Sequence, residues 1–125
     1  MKREIKFKAK RLDNGEWIIG SFVVMKIPAL SKTTIGIVAE GGATLHEVDP
    51  STVCQFTGLT DCEGKEIWEG DIAECEIYDL YKGFIKVKAV IEYMYGAFVA
   101  IIDGIPNSLY FKYIKVIGNK FDKEK

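Results

Sequence analysis

The chain has 125 residues, 48% of them hydrophobic and 28% charged, which suits one modest core and excludes disorder throughout. Seventeen basic side chains against 18 acidic ones leave a net charge of -1, without the positive excess that phosphate-backbone binding usually needs. No apolar run approaches the ~20 residues of a bilayer-crossing helix. Met1-Lys2-Arg3-Glu4-Ile5-Lys6-Phe7 has charges but no apolar segment behind them, so no signal peptide is expected and a cytoplasmic location is.

Residues 4–10 alternate strictly, with Ile5, Phe7 and Ala9 on one side and Glu4, Lys6, Lys8 and Lys10 on the other, as in a half-buried strand. Asp13-Asn14-Gly15 supplies the positive-φ positions of a tight hairpin turn. A second strand follows from Glu16 to Val24, with Trp17 and Ile19 on one face and Ile18 and Gly20 on the other. Residues 26–34 read as a loop, Ile35 to Ala39 as a short strand and residues 40–43 as a turn. At Asp49-Pro50-Ser51-Thr52, Pro50 sets φ and the Asp49 side chain is placed to accept a hydrogen bond from the backbone two residues on. A short helical turn also fits there.

Residues 60–65 form a further turn with Gly64 at its left-handed position. Glu69-Gly70-Asp71 then launches a strand that turns Ala73, Cys75 and Ile77 away from Glu74, Glu76 and Tyr78. From Ile85 to Tyr93 the pattern repeats, with Ile85, Val87, Ala89, Ile91 and Tyr93 on one side. Residues 97–102 are apolar on both faces and suit a central strand. A turn over residues 103–107, one helical turn around Leu109, Tyr110 and Phe111, and a last strand from Ile114 to Ile117 complete the chain. The charged tail from Lys120 to Lys125 is expected to fray, with Phe121 as its one apolar anchor. Short strands, frequent turns and no sustained 3.6-residue period predict a mainly β protein whose second half curls into a small barrel.

Three segments resemble the YopX family, small proteins of phages and prophages. The opening Arg3-Glu4-Ile5-Lys6-Phe7-Lys8-Ala9 is similar to that family's start, with Lys8 where arginine is usual. The run from Gln55 to Ile72 resembles its central signature Tyr-Thr-Gly-Leu-x-Asp-x-x-Gly-x-x-Ile-Tyr-Glu-Gly-Asp, with Phe56 and Trp68 at positions usually held by tyrosine. The close Val116-Ile117-Gly118-Asn119 resembles its terminal motif. Residues 25–48 match nothing in the family pattern. The resemblance implies a β-rich fold with an SH3-like later part, and it brings no catalytic residues with it.

The residues themselves supply no catalytic or metal constellation. Cys54, Cys62 and Cys75 are separated by seven and twelve residues, which matches neither paired zinc knuckles nor a redox motif, and His46 as a fourth ligand would share no short loop with them. Reduced, mostly buried thiols are expected. Asp61, Glu63, Glu66, Glu69 and Asp71 invite an acid/base or Mg²⁺ reading. Turn chemistry suits them better, with Asp61 bonding its own loop and Glu69 and Asp71 solvated around Gly70. Gly41-Gly42 and Gly58 lack the framework of a phosphate loop, and one histidine near Ser51 and Thr52 makes no triad. Trp17, Trp68, Tyr78, Tyr81, Tyr93, Tyr95, Tyr110 and Tyr113, interleaved with Lys82, Lys86, Lys88, Lys112 and Lys115, would suit stacked bases. They suit a β surface with cross-strand aromatic pairs as well, and the near-neutral charge disfavours nucleic acid.

The expectation is therefore an all-β unit over residues 1–125. It divides into an N-terminal hairpin lobe (1–48), an SH3-like barrel part (49–119) and the tail (120–125). It is expected to be non-enzymatic and without cofactor or metal. Its function is protein binding or self-association through strand edges and exposed aromatics, with Trp68, Glu69, Asp71 and Tyr78 as the binding residues. The alternative is a nucleic-acid module using a Lys/Tyr surface.

Overall fold

The computed structural model describes residues 4–122. Arg3 of the opening motif and Lys123, Glu124 and Lys125 of the expected tail lie outside the described residues. The chain forms two compact units, Met1–Phe56 and Thr57–Lys125. Every regular element of more than three residues is a strand, so the all-β class expected from the sequence holds.

In the first unit, β1 (Phe7–Lys10) pairs antiparallel with β2 (Trp17–Ile27), opposing Ala9 to Ile18 and Lys10 to Trp17. Gly15 takes the left-handed conformation at φ 71° in the intervening turn. β2 then pairs along its far end with β3 (Lys32–Ala39), which pairs with β4 (Leu45–Glu47). β5 (Cys54–Thr60) lies on the other side of β1, giving the order β4-β3-β2-β1-β5. Ala9, Ile18, Ile37 and Val48 form the buried centre, with Phe7, Phe22, Ile35, Ala39 and Val53 around them. The Phe7 and Phe22 rings meet at 5.5 Å.

The long β2–β3 hairpin corrects the loop expected over residues 26–34. β2 continues to Ile27, a 3-10 turn spans Pro28–Leu30, and Ser31 at φ 49° hands the chain to β3 at Lys32. Pro28 and the polar run after it read locally as loop, but pairing of Ile27 with Lys32 and Lys26 with Thr33 satisfies that backbone as a ladder. Asp49 behaves as the sequence implied: its Oδ1 accepts the Ser51 N–H at 3.0 Å and opens a 3-10 turn over Pro50–Thr52.

β5 runs across the boundary and, in the second unit, neighbours β6 (Glu66–Trp68). The remaining strands are β7 (Asp71–Asp79), β8 (Gly83–Met94), β9 (Ala97–Ile102), β10 (Ile105–Ser108) and β11 (Ile114–Asn119), in the antiparallel order β10-β9-β8-β7-β11. The alternation of β7 and β8 places Ala73, Cys75, Ala89 and Ile91 in a core with Ile67, Ala100, Ile102, Ile114 and Val116. Tyr93 shares their parity but lies beyond that core near the strand end and is exposed.

Four readings change here. The small barrel expected over residues 49–119 does not close, because β10 and β11 occupy opposite edges of an open sheet. Asp103 and Gly104, at φ 50° and 77°, make a two-residue turn, so residues 105–108 form β10 and are no longer part of a loop. Residues 109–111 are irregular, not helical; Leu109 and Phe111 pack on the core from either side of an exposed Tyr110. β11 extends through Gly118 to Asn119 across a bulge between Val116 and Gly118.

Both edges of this second sheet are blunted. Edge strand β10 has only four residues and carries Pro106, which has no N–H to offer a further strand. Along β11, Ile114 O accepts the Cys62 N–H at 2.9 Å and the Val116 N–H is taken by Asp61 Oδ2 at 2.9 Å. The turn before β6 thus occupies the edge that another chain would need.

Candidate functional site

Two carboxylates of the acidic run, Asp61 and Asp71, are structural acceptors. Asp61 is buried; Oδ1 accepts the N–H of Glu63 at 2.9 Å and of Lys65 at 2.8 Å, while Oδ2 holds the Val116 N–H. Burial by itself would raise its pKa, but these three donors, with the positive charge of Lys65, hold the carboxyl below the usual range. Asp71, expected in solvent, is 2% exposed. It accepts the Trp68 N–H at 2.8 Å on Oδ2 and the Asn119 side-chain N–H at 3.0 Å on Oδ1. Gly70, at φ 87° between them, gives the reversal that aims Asp71 back at Trp68. The central run and the closing Val116–Asn119 segment, which carry the sequence resemblance, therefore meet through two aspartates.

Trp68 is 4% exposed, which removes it from any contact surface; its indole is core. Glu69 is half-buried. Of the four residues expected to bind, only Tyr78 stands in solvent, at 62% exposure. The four are consequently not one site. Among the described residues, no three His, Cys, Asp or Glu side chains converge as metal ligands would.

The thiols differ sharply. Cys54 and Cys75 are buried and Cys62 is exposed. Desolvation, with Glu74 beside it, pushes the Cys75 thiol up to about 11, so very little thiolate exists there at neutral pH. A thiol-alkylating reagent at pH 8 should modify one cysteine rapidly in the native protein and three after denaturation, with mass mapping placing the fast adduct on Cys62. Rapid labelling of Cys75 would contradict this packing.

One surface that gathers apolar side chains is the tip of the β7–β8 hairpin. Tyr78 and Phe84 are directly opposed across the strands and meet edge to face at 5.2 Å, a favourable aromatic geometry. Beyond them Leu80 is 85% exposed, Tyr81 96% and Phe84 69%. The turn is ordered from within: Asp79 Oδ1 accepts the N–H of Tyr81 at 2.8 Å and of Lys82 at 3.0 Å. Asp79 thereby holds two large apolar side chains outward on a fixed backbone. Of the group, the sequence reading singled out Tyr78 and Tyr81 but not Leu80 or Phe84. The available signal was a hairpin connection, Asp79-Leu80-Tyr81-Lys82-Gly83, with apolar residues where turns usually carry polar ones.

Behind the tip, the outward face of the sheet is charged in both senses. Lys86 stands opposite Glu76, and Lys88 and Lys115 flank Glu74 from either side. The Tyr113 hydroxyl donates to Glu74 Oε1 at 3.2 Å while Lys86 Nζ lies 4.5 Å from the Tyr113 ring centre. Lys86, Lys88 and Lys115 are thus each opposed by a carboxylate across the strands.

At the far end of β8, Thr57, Leu59, Phe98, Ser108, Leu109 and Tyr110 line a depression of about 380 Å³. Leu59 and Tyr110 are exposed on its rim.

A search of curated proteins finds no match to this chain. Among solved structures it is similar to protein EF1440 from Enterococcus faecalis, with 24% identity, 94% of each chain covered and a TM-score of 0.51; that likeness concerns the fold. The family model described as YopX protein matches residues 6–124, nearly the whole chain and all of the segments joined by Asp61 and Asp71. The chain belongs to the YopX family.

Proposed function

We propose that this protein is a non-enzymatic protein-binding module whose contact surface is the aromatic tip of the β7–β8 hairpin. The observation that carries the reading is the cluster of Tyr78, Leu80, Tyr81 and Phe84, exposed together on a turn stiffened by Asp79. Large apolar side chains on a backbone that is already ordered cost less entropy to bury on binding, which favours their use as interface anchors. Strand edges have less support as the contact, since both edges of the second sheet are blunted. A phage or prophage accessory role in the host cytoplasm belongs to the same reading and rests on the family likeness. A nucleic-acid role has weaker support, because Lys86, Lys88 and Lys115 face carboxylates that offset their field.

The test is affinity capture from host cells with the natural chain and with a Leu80→Ser/Tyr81→Ser variant as baits, both checked for native circular dichroism. The tip variant should lose at least ~10-fold of any specifically captured protein, as expected for removal of a hot spot worth about 2 kcal/mol. Equal capture by both baits would remove the tip from the interface.

A further inference from the structure

We propose that Asn14-Gly15 is a site of spontaneous covalent modification, at which Asn14 becomes aspartate or isoaspartate, and that the β1–β2 turn keeps it closed until the hairpin opens. The inference is independent of the β7–β8 tip. Asn14 is the only asparagine of the chain followed by glycine, since Asn107 and Asn119 precede Ser108 and Lys120. The reaction needs the backbone nitrogen of the next residue to reach the side-chain carbonyl carbon, and glycine has no Cβ to hinder that approach. Residues 12–16 are all exposed, so water and base have access to the turn.

The chain and water suffice for the chemistry. The Gly15 nitrogen is a weak nucleophile until it gives up its proton to hydroxide. It then attacks Cγ of Asn14, and the new C–N bond closes a five-membered ring. The Cγ–Nδ2 bond breaks, and Nδ2 takes a proton from water and leaves as ammonia. Water opens the resulting succinimide at either carbonyl. Opening at Cγ gives aspartate at position 14. Opening at the main-chain carbonyl gives isoaspartate, whose backbone runs through Cβ and Cγ.

The folded turn opposes the first of these steps. The Gly15 N–H that must lose its proton donates to Arg11 O at 2.9 Å, which also fixes the peptide plane leading into Gly15 at φ 71°. Asn14 Oδ1 accepts the Glu16 N–H at 2.9 Å, and the Arg11 N–H donates to Glu16 O at 2.9 Å to close the turn. Attack requires the nitrogen and Cγ to approach to about 3 Å in an aligned pose, and these bonds hold both partners where the turn needs them. Glu16 Oε2, 3.4 Å from Asn14 Nδ2, adds negative charge beside a step that creates an anion. The Glu16 N–H would stabilise charge developing on Oδ1, but it cannot supply the nucleophile while Gly15 keeps its proton.

Opening of the hairpin releases all of these groups together. Isoaspartate then lengthens the main chain by one carbon within Leu12-Asp13-Asn14-Gly15, so Arg11 and Glu16 no longer close the turn with Ala9 opposite Ile18. β1 pairs with both β2 and β5, so the damage spreads to the first sheet. An opening that would otherwise reverse is recorded as a permanent change.

The test is incubation of the chain at mildly alkaline pH, native and unfolded in guanidinium chloride, with peptide mapping of amide-to-acid conversion at each asparagine. In the unfolded chain Asn14 should convert well ahead of Asn107 and Asn119, giving separable aspartate and isoaspartate peptides. Gly15→Val, measured in the same denaturant so that folding plays no part, should slow that conversion severalfold. In the native chain Asn14 should convert at least ~10-fold more slowly than in the unfolded one, the suppression set by how rarely the hairpin opens. A native rate equal to the unfolded rate would overturn the gating. No preference for Asn14 in the unfolded chain, or no effect of Gly15→Val, would overturn the site itself.

Discussion

Gly20→Ala should destabilise the protein by at least about 3 kcal/mol, read as a fall in the urea midpoint at unchanged slope. Gly20 lies in β2 opposite both Phe7 of β1 and Ala39 of β3. A Cβ built there would fall far inside contact distance of the Val38 carbonyl oxygen and 2.8 Å from its carbon. Those atoms are backbone, so relief requires separating two paired strands, whereas a crowded side chain could rotate away. Gly36 on β3 has the same character, 2.6 Å from the His46 carbonyl oxygen. Gly41 supplies the control, since it turns at φ 77° with nothing within 4 Å of an added Cβ. Gly41→Asn should cost less than about 1 kcal/mol, because asparagine tolerates the left-handed region. Equal losses at Gly20 and Gly41 would mean that close approach of β2 and β3 is not what demands the glycine.

Asp61→Ala should cost about 2–4 kcal/mol and alter how stability depends on pH. Three backbone N–H groups lose a charged acceptor, and that of Val116 lies on a buried residue where water cannot easily replace it. The sign of the pH effect follows from the direction of the shift. The carboxyl titrates lower in the folded chain than the ~3.9 of an unfolded one, so its stabilisation is complete above about pH 4 and fades as pH falls through the folded value. Urea midpoints at pH 7 and pH 3 should therefore converge more in Asp61→Asn than in the natural chain. Asp13 and Asp49, whose carboxyls are also held low by side-chain hydrogen bonds from Arg11 and Ser51, titrate equally in both proteins and cancel in the comparison. A variant with the full natural pH dependence would show that the Asp61 charge contributes nothing to the fold.

The role of Asp61, with that of Asp71, gives the family signature a structural meaning. Its aspartates tie the turn before β6 and the start of β7 to the last strand, through Val116 and Asn119. Asp61 and Asp71 of the acidic run serve that role, and the surface proposed to contact a partner lies outside the signature, at the β7–β8 tip. In that division, residues of the central run maintain the framework and the hairpin connection is free to present Leu80 and Tyr81.

Much of the fold was legible one residue at a time. Alternation along β7 and β8 identified Ala73, Cys75, Ala89 and Ile91 as inward-facing, because strand geometry sends successive side chains to opposite faces whatever the partner strand. Gly15, Gly64 and the Asp49 side chain marked turns through conformational preferences and hydrogen bonds that span only a few residues. Burial of Trp68 and Asp71, the extended course of residues 26–27 and 32–34, the strand over residues 105–108 and the open sheet could not be read that way. Asp61 meets Val116 across 55 positions and Asp71 meets Asn119 across 48. An acidic side chain beside a glycine turn is equally compatible with water until a distant donor is brought to it, and only chain folding brings the donor there.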